Sequence, residues 1–146
     1  YTRVSQDTSY TAGTGYGWLD KVSDHDRGTG EALTSDFNYG RQGTFVVDLA
    51  DGLYDVTLTL GDSAALRDQV AVSLEGQQVD LVTTDKGQFH TTTYRVEVTD
   101  GQLTLLLQDL GGASQSFAIN ALEIQAVDQT LDDVFANDAD GLLMTV

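Results

Sequence analysis

Two short stretches of the sequence carry residue types that could catalyse a reaction or bind a metal. Ser63 follows a Gly-Asp pair, and a serine nucleophile needs a histidine base and an oxyanion hole. The chain has two histidines, His25 and His90. His25 lies between two aspartates, a setting that could hold a metal ion, but no HExxH or HxH spacing accompanies it. We therefore interpret residues 24–26 as an exposed polar loop.

The Gly-Asp-Ser run at 61–63 resembles the start of the flat-sheet esterases of the GDSL type. In that family the histidine lies in an Asp-x-x-His pair near the C-terminus, and this chain has no such pair. We expect a β-turn capped by Asp62 instead. Glycosidase chemistry needs two carboxylates at a defined separation, and the 19 Asp and 4 Glu residues single out no pair. The sequence thus gives no reason to expect an enzyme.

Aromatic residues outside the regular strand pattern indicate binding rather than catalysis. Sugars present apolar C–H faces that stack on aromatic rings, and hydroxyl groups that bond to Asp, Asn and Arg. Tyr16 and Trp18 are candidates for such stacking, and the alternative is that they fix an N-terminal strand in the core. Tyr39 lies among Asn38, Gly40 and Arg41, where we expect exposure and ligand binding.

Composition limits the class of protein. The chain has 146 residues, 40% hydrophobic and 21% charged, as expected for one globular domain with a hydrophobic core. A formal net charge of −16 makes nucleic acid and anionic membrane surfaces unfavourable partners. Cysteine is absent, which excludes disulfides, zinc fingers and thiol catalysis. The excess of Asp over Glu, with 15 Gly, indicates a turn-rich β protein.

Alternation of apolar and polar residues predicts the strands. Runs at 44–49 and 53–60, 70–74 and 79–82, and 89–98 and 103–108 form three pairs, and each pair is joined by an Asp-Gly or Glu-Gly dipeptide that is typical of a hairpin. A further strand is expected at 117–124, with shorter strands at 1–5, 16–20 and 32–37. Without proline and with about ten short strands, the chain is predicted to be an all-β, antiparallel jelly-roll sandwich.

The lengths of the connections alternate between short and long, which predicts where a ligand binds. In an antiparallel fold successive connections lie at opposite ends, so the tight turns are expected at one end. The longer loops at 36–43, 61–69, 84–88 and 109–115 are then expected at the other end, where loops on a rigid scaffold form binding sites. The candidate ligand-binding residues are Tyr16, Trp18, Arg27, Tyr39, Arg41, Asp62, Arg67 and Asp68.

The last part of the chain follows a different pattern. We place the sandwich at 1–127 and expect a linker or short helix at 128–146 leading to another domain. Residues 130–135 have a cap, early acids and helical apolar spacing, and 137–141 resemble part of a calcium loop without its first and last ligands. The chain begins at Tyr1 with no visible signal peptide, so we take it to be part of a longer polypeptide.

Several of these segments resemble a known group of domains. Residues 45–57 fit the pattern F-x-V-D-L-x-x-G-x-Y-x-V of malectin-like and galactose-binding-like domains. Residues 98–105 and 119–124 are similar to the closing strands of the same group. The opening segment 16–18, with 26–28, resembles the modules attached to bacterial polysaccharide-degrading enzymes.

This resemblance implies a galactose-binding-like sandwich that binds carbohydrate, often holds a structural calcium ion and has no catalytic activity of its own. We therefore predict a non-catalytic carbohydrate-binding module that targets a larger secreted, multidomain protein to a polysaccharide or oligosaccharide. The alternative is a structural spacer or adhesion module without a glycan ligand. Calcium is the one cofactor that the resemblance suggests, and the metal ligands are unknown.

Overall fold

The computed structural model describes residues 1–28 and 31–127, and most of them lie in strands. The regular elements, in chain order, are β1 (Tyr16–Trp18), β2 (Ser23–Asp26), α1 (Ala32–Ser35), β3 (Asp36–Gly40), β4 (Gln42–Asp48), β5 (Gly52–Gly61), β6 (Arg67–Leu74), β7 (Gln77–Thr84), β8 (Phe89–Val98), β9 (Gln102–Asp109) and β10 (Phe117–Ala126). The tail predicted at 128–146, with its helix-like and calcium-like segments, lies outside the described residues.

The strands form two antiparallel five-stranded sheets that pack face to face. The first sheet has the order β1-β4-β9-β6-β7 and the second has the order β2-β3-β10-β5-β8. Inward side chains alternate with outward ones, as in β9, where Leu103, Leu105 and Leu107 are buried and the residues between them are partly exposed. The all-β sandwich and its seven long strands are therefore confirmed.

Two of the three predicted hairpins are wrong. Strands β4 and β5 lie in different sheets, as do β8 and β9, so their Asp-Gly connections cross the sandwich. Only β6 and β7 pair with each other as predicted. The two crossing connections support one another, since Leu49 N–H donates to Gly101 O at 3.0 Å and Gly101 N–H donates to an Asp51 carboxylate oxygen at 2.8 Å. An Asp-Gly pair fixes a local turn, whereas the packing of the inner faces decides which sheet the next strand joins.

The N-terminal third also differs from the prediction in several places. Residues 1–5 contain no strand, and 32–37 contain the short helix α1 followed by the start of β3. The segment predicted as a loop at 36–43 is mostly strand, with β3 turning at Arg41 into β4. The polar segment around His25 is the edge strand β2, because its backbone pairs with β3. A polar edge strand lacks the apolar alternation on which the sequence analysis relied.

Candidate functional site

A buried carboxylate holds two arginines at the end of the sandwich where the longer loops meet. Asp62 directly follows β5 and has no solvent exposure. Arg27 Nε and Nη2 donate to its two oxygens at 3.0 and 2.9 Å. Arg67, the first residue of β6, donates from Nη2 and Nε to Asp62 Oδ2 at 2.7 and 3.2 Å. Three separate chain segments are therefore joined at one carboxylate.

Hydrogen bonds keep this carboxylate ionised in spite of its burial. Burial alone would raise the pKa of Asp62. Hydrogen bonds from Arg27, from the Ala64 backbone N–H at 2.9 Å and from Arg67 outweigh burial and lower that pKa to about 2. The hydrogen bond to Asp62 in turn raises the pKa of Arg27 above its ordinary value. The bond from Ala64 also confirms that Asp62 caps its own turn.

Two aromatic rings lie against the arginines on the outer face of the second sheet. Asn38 points into the core and accepts a hydrogen bond from Trp18 Nε1 at 3.0 Å, so its neighbours Phe37 and Tyr39 point outward. The Cζ atoms of Arg27 and Arg67 lie 5.3 and 5.5 Å from the centroid of the Phe37 ring. Arg67 Cζ is also 5.8 Å from the Tyr39 ring. These distances are typical of cation–π contacts.

We name this group the Arg–Asp cluster; it comprises Arg27, Phe37, Tyr39, Asp62 and Arg67. Phe37 is covered, with 2% of its surface exposed, whereas Tyr39 is half-buried. The exposed side of the cluster therefore presents a tyrosine ring beside guanidinium groups. This combination can stack a sugar ring and donate hydrogen bonds to its oxygen atoms.

The structure brings four of the predicted site residues together in this cluster, but Tyr39 lies in a strand and not in a long loop. Asp68 is nearby and accepts hydrogen bonds from the backbone N–H groups of Ala113 and Ser114 at 2.9 and 2.8 Å. It therefore holds the 109–117 connection in place. Arg41 is exposed at the turn between β3 and β4, outside the cluster, and its carbonyl accepts a hydrogen bond from Asp109 N–H.

Trp18 is a core residue and is removed from the set of candidate contacts. It is 4% exposed, its ring packs edge-on to Phe45 at 5.1 Å, and its Nε1 bonds to Asn38. Tyr16 is half-buried and packs on the core from β1. Both rings line a groove of about 860 Å³ that runs beside β10 between the two sheets. The alternative considered from the sequence, in which they fix an N-terminal strand, is therefore correct for Trp18.

Sequence reasoning missed Phe37 as a member of the site. The order Phe37-Asn38-Tyr39 places two aromatics on one face of a strand and a polar residue on the other. This period-2 signal was present, but the polar residue is the one that points inward. The strand was hard to recognise from the sequence, because the residue that points into the core is the polar Asn38 and the two aromatics lie on the opposite face.

No catalytic arrangement surrounds Ser63 in the part of the chain that the structure describes. No hydrogen bond joins Ser63 to either histidine: His25 Nε2 lies 3.4 Å from Arg27 Nη1, and His90 Nε2 lies 2.6 Å from Thr92 Oγ1. Residues 1–28 and 31–127 also contain no group of three or more His, Cys, Asp or Glu side chains that could hold a metal ion. We therefore assign no calcium ligands.

The described residues include no helix long and apolar enough to cross a membrane.

Comparison with known proteins identifies the family. A family model for the "Beta-agarase/YXIM esterase-like, galactose-binding domain-like" family matches residues 1–125. The uncharacterized esterase YxiM of Bacillus subtilis is 35% identical over 133 residues, which cover 86% of this chain and 33% of YxiM. Beta-agarase A of Zobellia galactanivorans is 33% identical over 134 residues, which cover 87% of this chain and 24% of the agarase.

Solved structures agree with this match. The crystal structure of YxiM superposes with a TM-score of 0.70 at 33% identity, over 87% of this chain and 36% of that one. Bacteroides uniformis beta-glucuronidase 2, solved as a mutant with two Asp→Ala substitutions, superposes with a TM-score of 0.63 at 12% identity, over 84% of this chain and 15% of that one, which shows a shared fold. The chain spans about a third of YxiM and a quarter of the agarase. It belongs to the galactose-binding-like domain family of beta-agarases and YxiM-type esterases.

Proposed function

We propose that this domain is a non-catalytic carbohydrate-binding module that holds a larger secreted protein on a polysaccharide. The observation that carries the proposal is the Arg–Asp cluster, in which the half-buried Tyr39 ring lies beside the Arg67 guanidinium. An aromatic face supports stacking on a sugar ring, and guanidinium N–H groups bond to hydroxyl or acidic oxygens. The buried Asp62 fixes both arginines before a ligand arrives, which lowers the entropy lost on binding.

The relatives support a role as one module of a longer chain. This domain corresponds to a minority of the length of both YxiM and beta-agarase A. A separate catalytic domain would then perform the reaction, and the module would keep that domain close to its polymer. A shallow site of this kind binds weakly, with a Kd of about micromolar to millimolar, and further modules would add avidity.

A structural spacer or adhesion module is the second candidate, and one observation favours it. Asp62 is fully buried and both of its oxygens accept hydrogen bonds within the protein. An ion cluster whose role is only to join β5, β6 and the segment after β2 would show the same geometry. In that case Tyr39 would contribute to packing and not to ligand binding.

Affinity gel electrophoresis of the purified domain separates the two candidates. The panel includes agarose and other algal and plant polysaccharides, with calcium in one set of gels and EDTA in the other. We expect at least one polymer to retard the domain, and Tyr39→Ala to abolish the retardation. Tyr10→Ala is the control, since Tyr10 is also half-buried but bonds to Asp48 at the tight-turn end. If no polymer retards the folded domain, the spacer hypothesis replaces this proposal.

A further inference from the structure

The Arg–Asp cluster has one more positive charge than negative. Arg27 and Arg67 share the single carboxylate of Asp62. The acids next to them in sequence are engaged elsewhere: Asp26 accepts the Gly28 N–H at 2.7 Å, and Asp68 accepts two N–H groups of the 109–117 connection. No other carboxylate of residues 1–28 and 31–127 forms an ion pair with either arginine.

Both guanidinium groups retain hydrogen-bonding capacity toward the solvent. The Arg27 and Arg67 side chains are 27% and 13% exposed. Each guanidinium has five N–H donors, and two of its nitrogens bond to Asp62. The remaining nitrogens have weak partners within the described chain, since Arg27 Nη1 lies 3.4 Å from His25 Nε2 and Arg67 Nη1 lies 3.5 Å from Ser116 O.

We propose that the glycan bound at this site carries an anionic group, either a carboxylate or a sulfate, which binds to Arg27 and Arg67. The proposal rests on the carbohydrate-binding function proposed above and names the chemical class of the ligand. A sugar ring stacked on Tyr39 would place its substituents near Arg67, whose Cζ is 5.8 Å from the tyrosine ring. Guanidinium groups bind carboxylate and sulfate oxygens through short, charge-assisted hydrogen bonds.

The excess positive charge of the Arg–Asp cluster is significant because the chain as a whole is strongly negative. A protein with a net charge of −16 repels anions at long range. Salt of about 0.15 M reduces that repulsion beyond ~8 Å, whereas a direct, partly buried ion pair is screened much less. An anionic ligand would therefore bind where positive charge is in excess at contact distance, and this cluster supplies such a place.

Isothermal titration of the wild-type domain with three series of oligosaccharides tests the proposal without any mutation. The series are neutral agaro-oligosaccharides, oligogalacturonates for the carboxylate and sulfated galacto-oligosaccharides for the sulfate. We expect one anionic series to bind about tenfold more tightly than the neutral series, and we expect this preference to decrease but persist at about 1 M NaCl, because the ion pair is partly buried. Equal affinity for all three series overturns this proposal and leaves the binding function intact. If none of the three series binds, this proposal fails, and the proposed binding function fails with it when no polysaccharide retards the domain.

Arg27→Gln tests which residue supplies the charge. We expect it to weaken binding of the preferred anionic series about fivefold or more. Arg95→Gln is the matched control, since it removes the same charge from β8, where Arg95 Nε bonds to Asp55 at 3.0 Å. Urea unfolding establishes that both variants are folded. If both variants weaken binding equally, the effect comes from overall charge and the proposed site is wrong.

Discussion

Replacing Asp62 with asparagine tests the central contact of the Arg–Asp cluster. Asparagine has almost the same size, but it leaves two partly buried guanidinium groups without their carboxylate. The pKa of Asp62 is lowered from 3.8 to about 2, which corresponds to about 2 kcal/mol of folding free energy at neutral pH. Removing one partner of a buried ion pair costs ~3–5 kcal/mol. We therefore expect Asp62→Asn to lower the free energy of unfolding by about 2–5 kcal/mol at pH 7.

The effect of Asp62 has a defined dependence on pH. Its folded-state pKa is depressed, so its contribution to stability is present above the unfolded pKa near 3.8 and is lost as the pH falls through 2. The assay is urea unfolding of wild type and Asp62→Asn at several pH values between 7 and 2. The difference in free energy between the two proteins should stay constant down to about pH 5. It should then narrow by about 2 kcal/mol near pH 2.

Asp55→Asn is the matched control for this experiment. Asp55 lies on β5 and bonds to Arg95, but this pair is far more exposed, with 34% and 59% of the two side chains accessible. Exposed ion pairs contribute little to stability because solvent and salt screen them. We expect a small change at every pH. If Asp62→Asn were as stable as Asp55→Asn, or if its difference from wild type did not change with pH, the ionised, buried carboxylate would be the wrong description.

Three further predictions concern the core beneath the site. Gly43→Ala should destabilise the domain by about 1–3 kcal/mol in urea unfolding, because a Cβ there would lie 2.9 Å from the Trp18 ring and 3.0 Å from the Phe117 ring; an unchanged midpoint would contradict this packing. Trp18→Phe should lower the free energy of unfolding by about 1–3 kcal/mol, because it leaves the buried Asn38 Oδ1 without its donor. The double variant Trp18→Phe with Asn38→Leu should recover part of that free energy. Trp18 is the only tryptophan, so its emission should be blue-shifted, resistant to iodide quenching and unchanged by saturating glycan; strong quenching would place it at the surface.

The long strands were predictable because their two faces meet different environments. In β9, Leu103, Leu105 and Leu107 recur at every second position, and the structure buries these three and leaves the residues between them partly exposed. The alternation of short and long connections also placed three of the four longer loops at one end, whereas the fourth, predicted at 36–43, is mostly strand. Gly87 N–H bonds to Asp62 O, and Leu110 N–H bonds to Gln69 O, so the longer loops meet at one end. The strand positions follow from local residue patterns, and the loop positions follow from the reversal of chain direction at each turn. Both kinds of information are present in the sequence.

Strand partners could not be predicted in the same way. The sequence marks a turn at Asp51-Gly52, but a hairpin and a crossing between sheets both reverse the chain there. The choice depends on long-range pairing: β4 pairs with β9 in one sheet, while β5 pairs with β8 and β10 in the other. A short-range signal carries no information about partners that lie about 40 residues away in the chain.

Four residues of the Arg–Asp cluster were candidates from the sequence, but the sequence does not reveal why they lie together. Loop position selected Asp62, Arg67 and Tyr39, and it treated each as an exposed contact. The structure instead buries Asp62 completely, so the carboxylate acts on the arginines and not on a ligand. Burial of an acid is costly unless cations compensate it, and here two arginines compensate one acid. One guanidinium is enough to neutralise the Asp62 carboxylate, so the second leaves the cluster with a positive charge. The partly exposed Arg27 is the residue at which a bound anion would neutralise that charge.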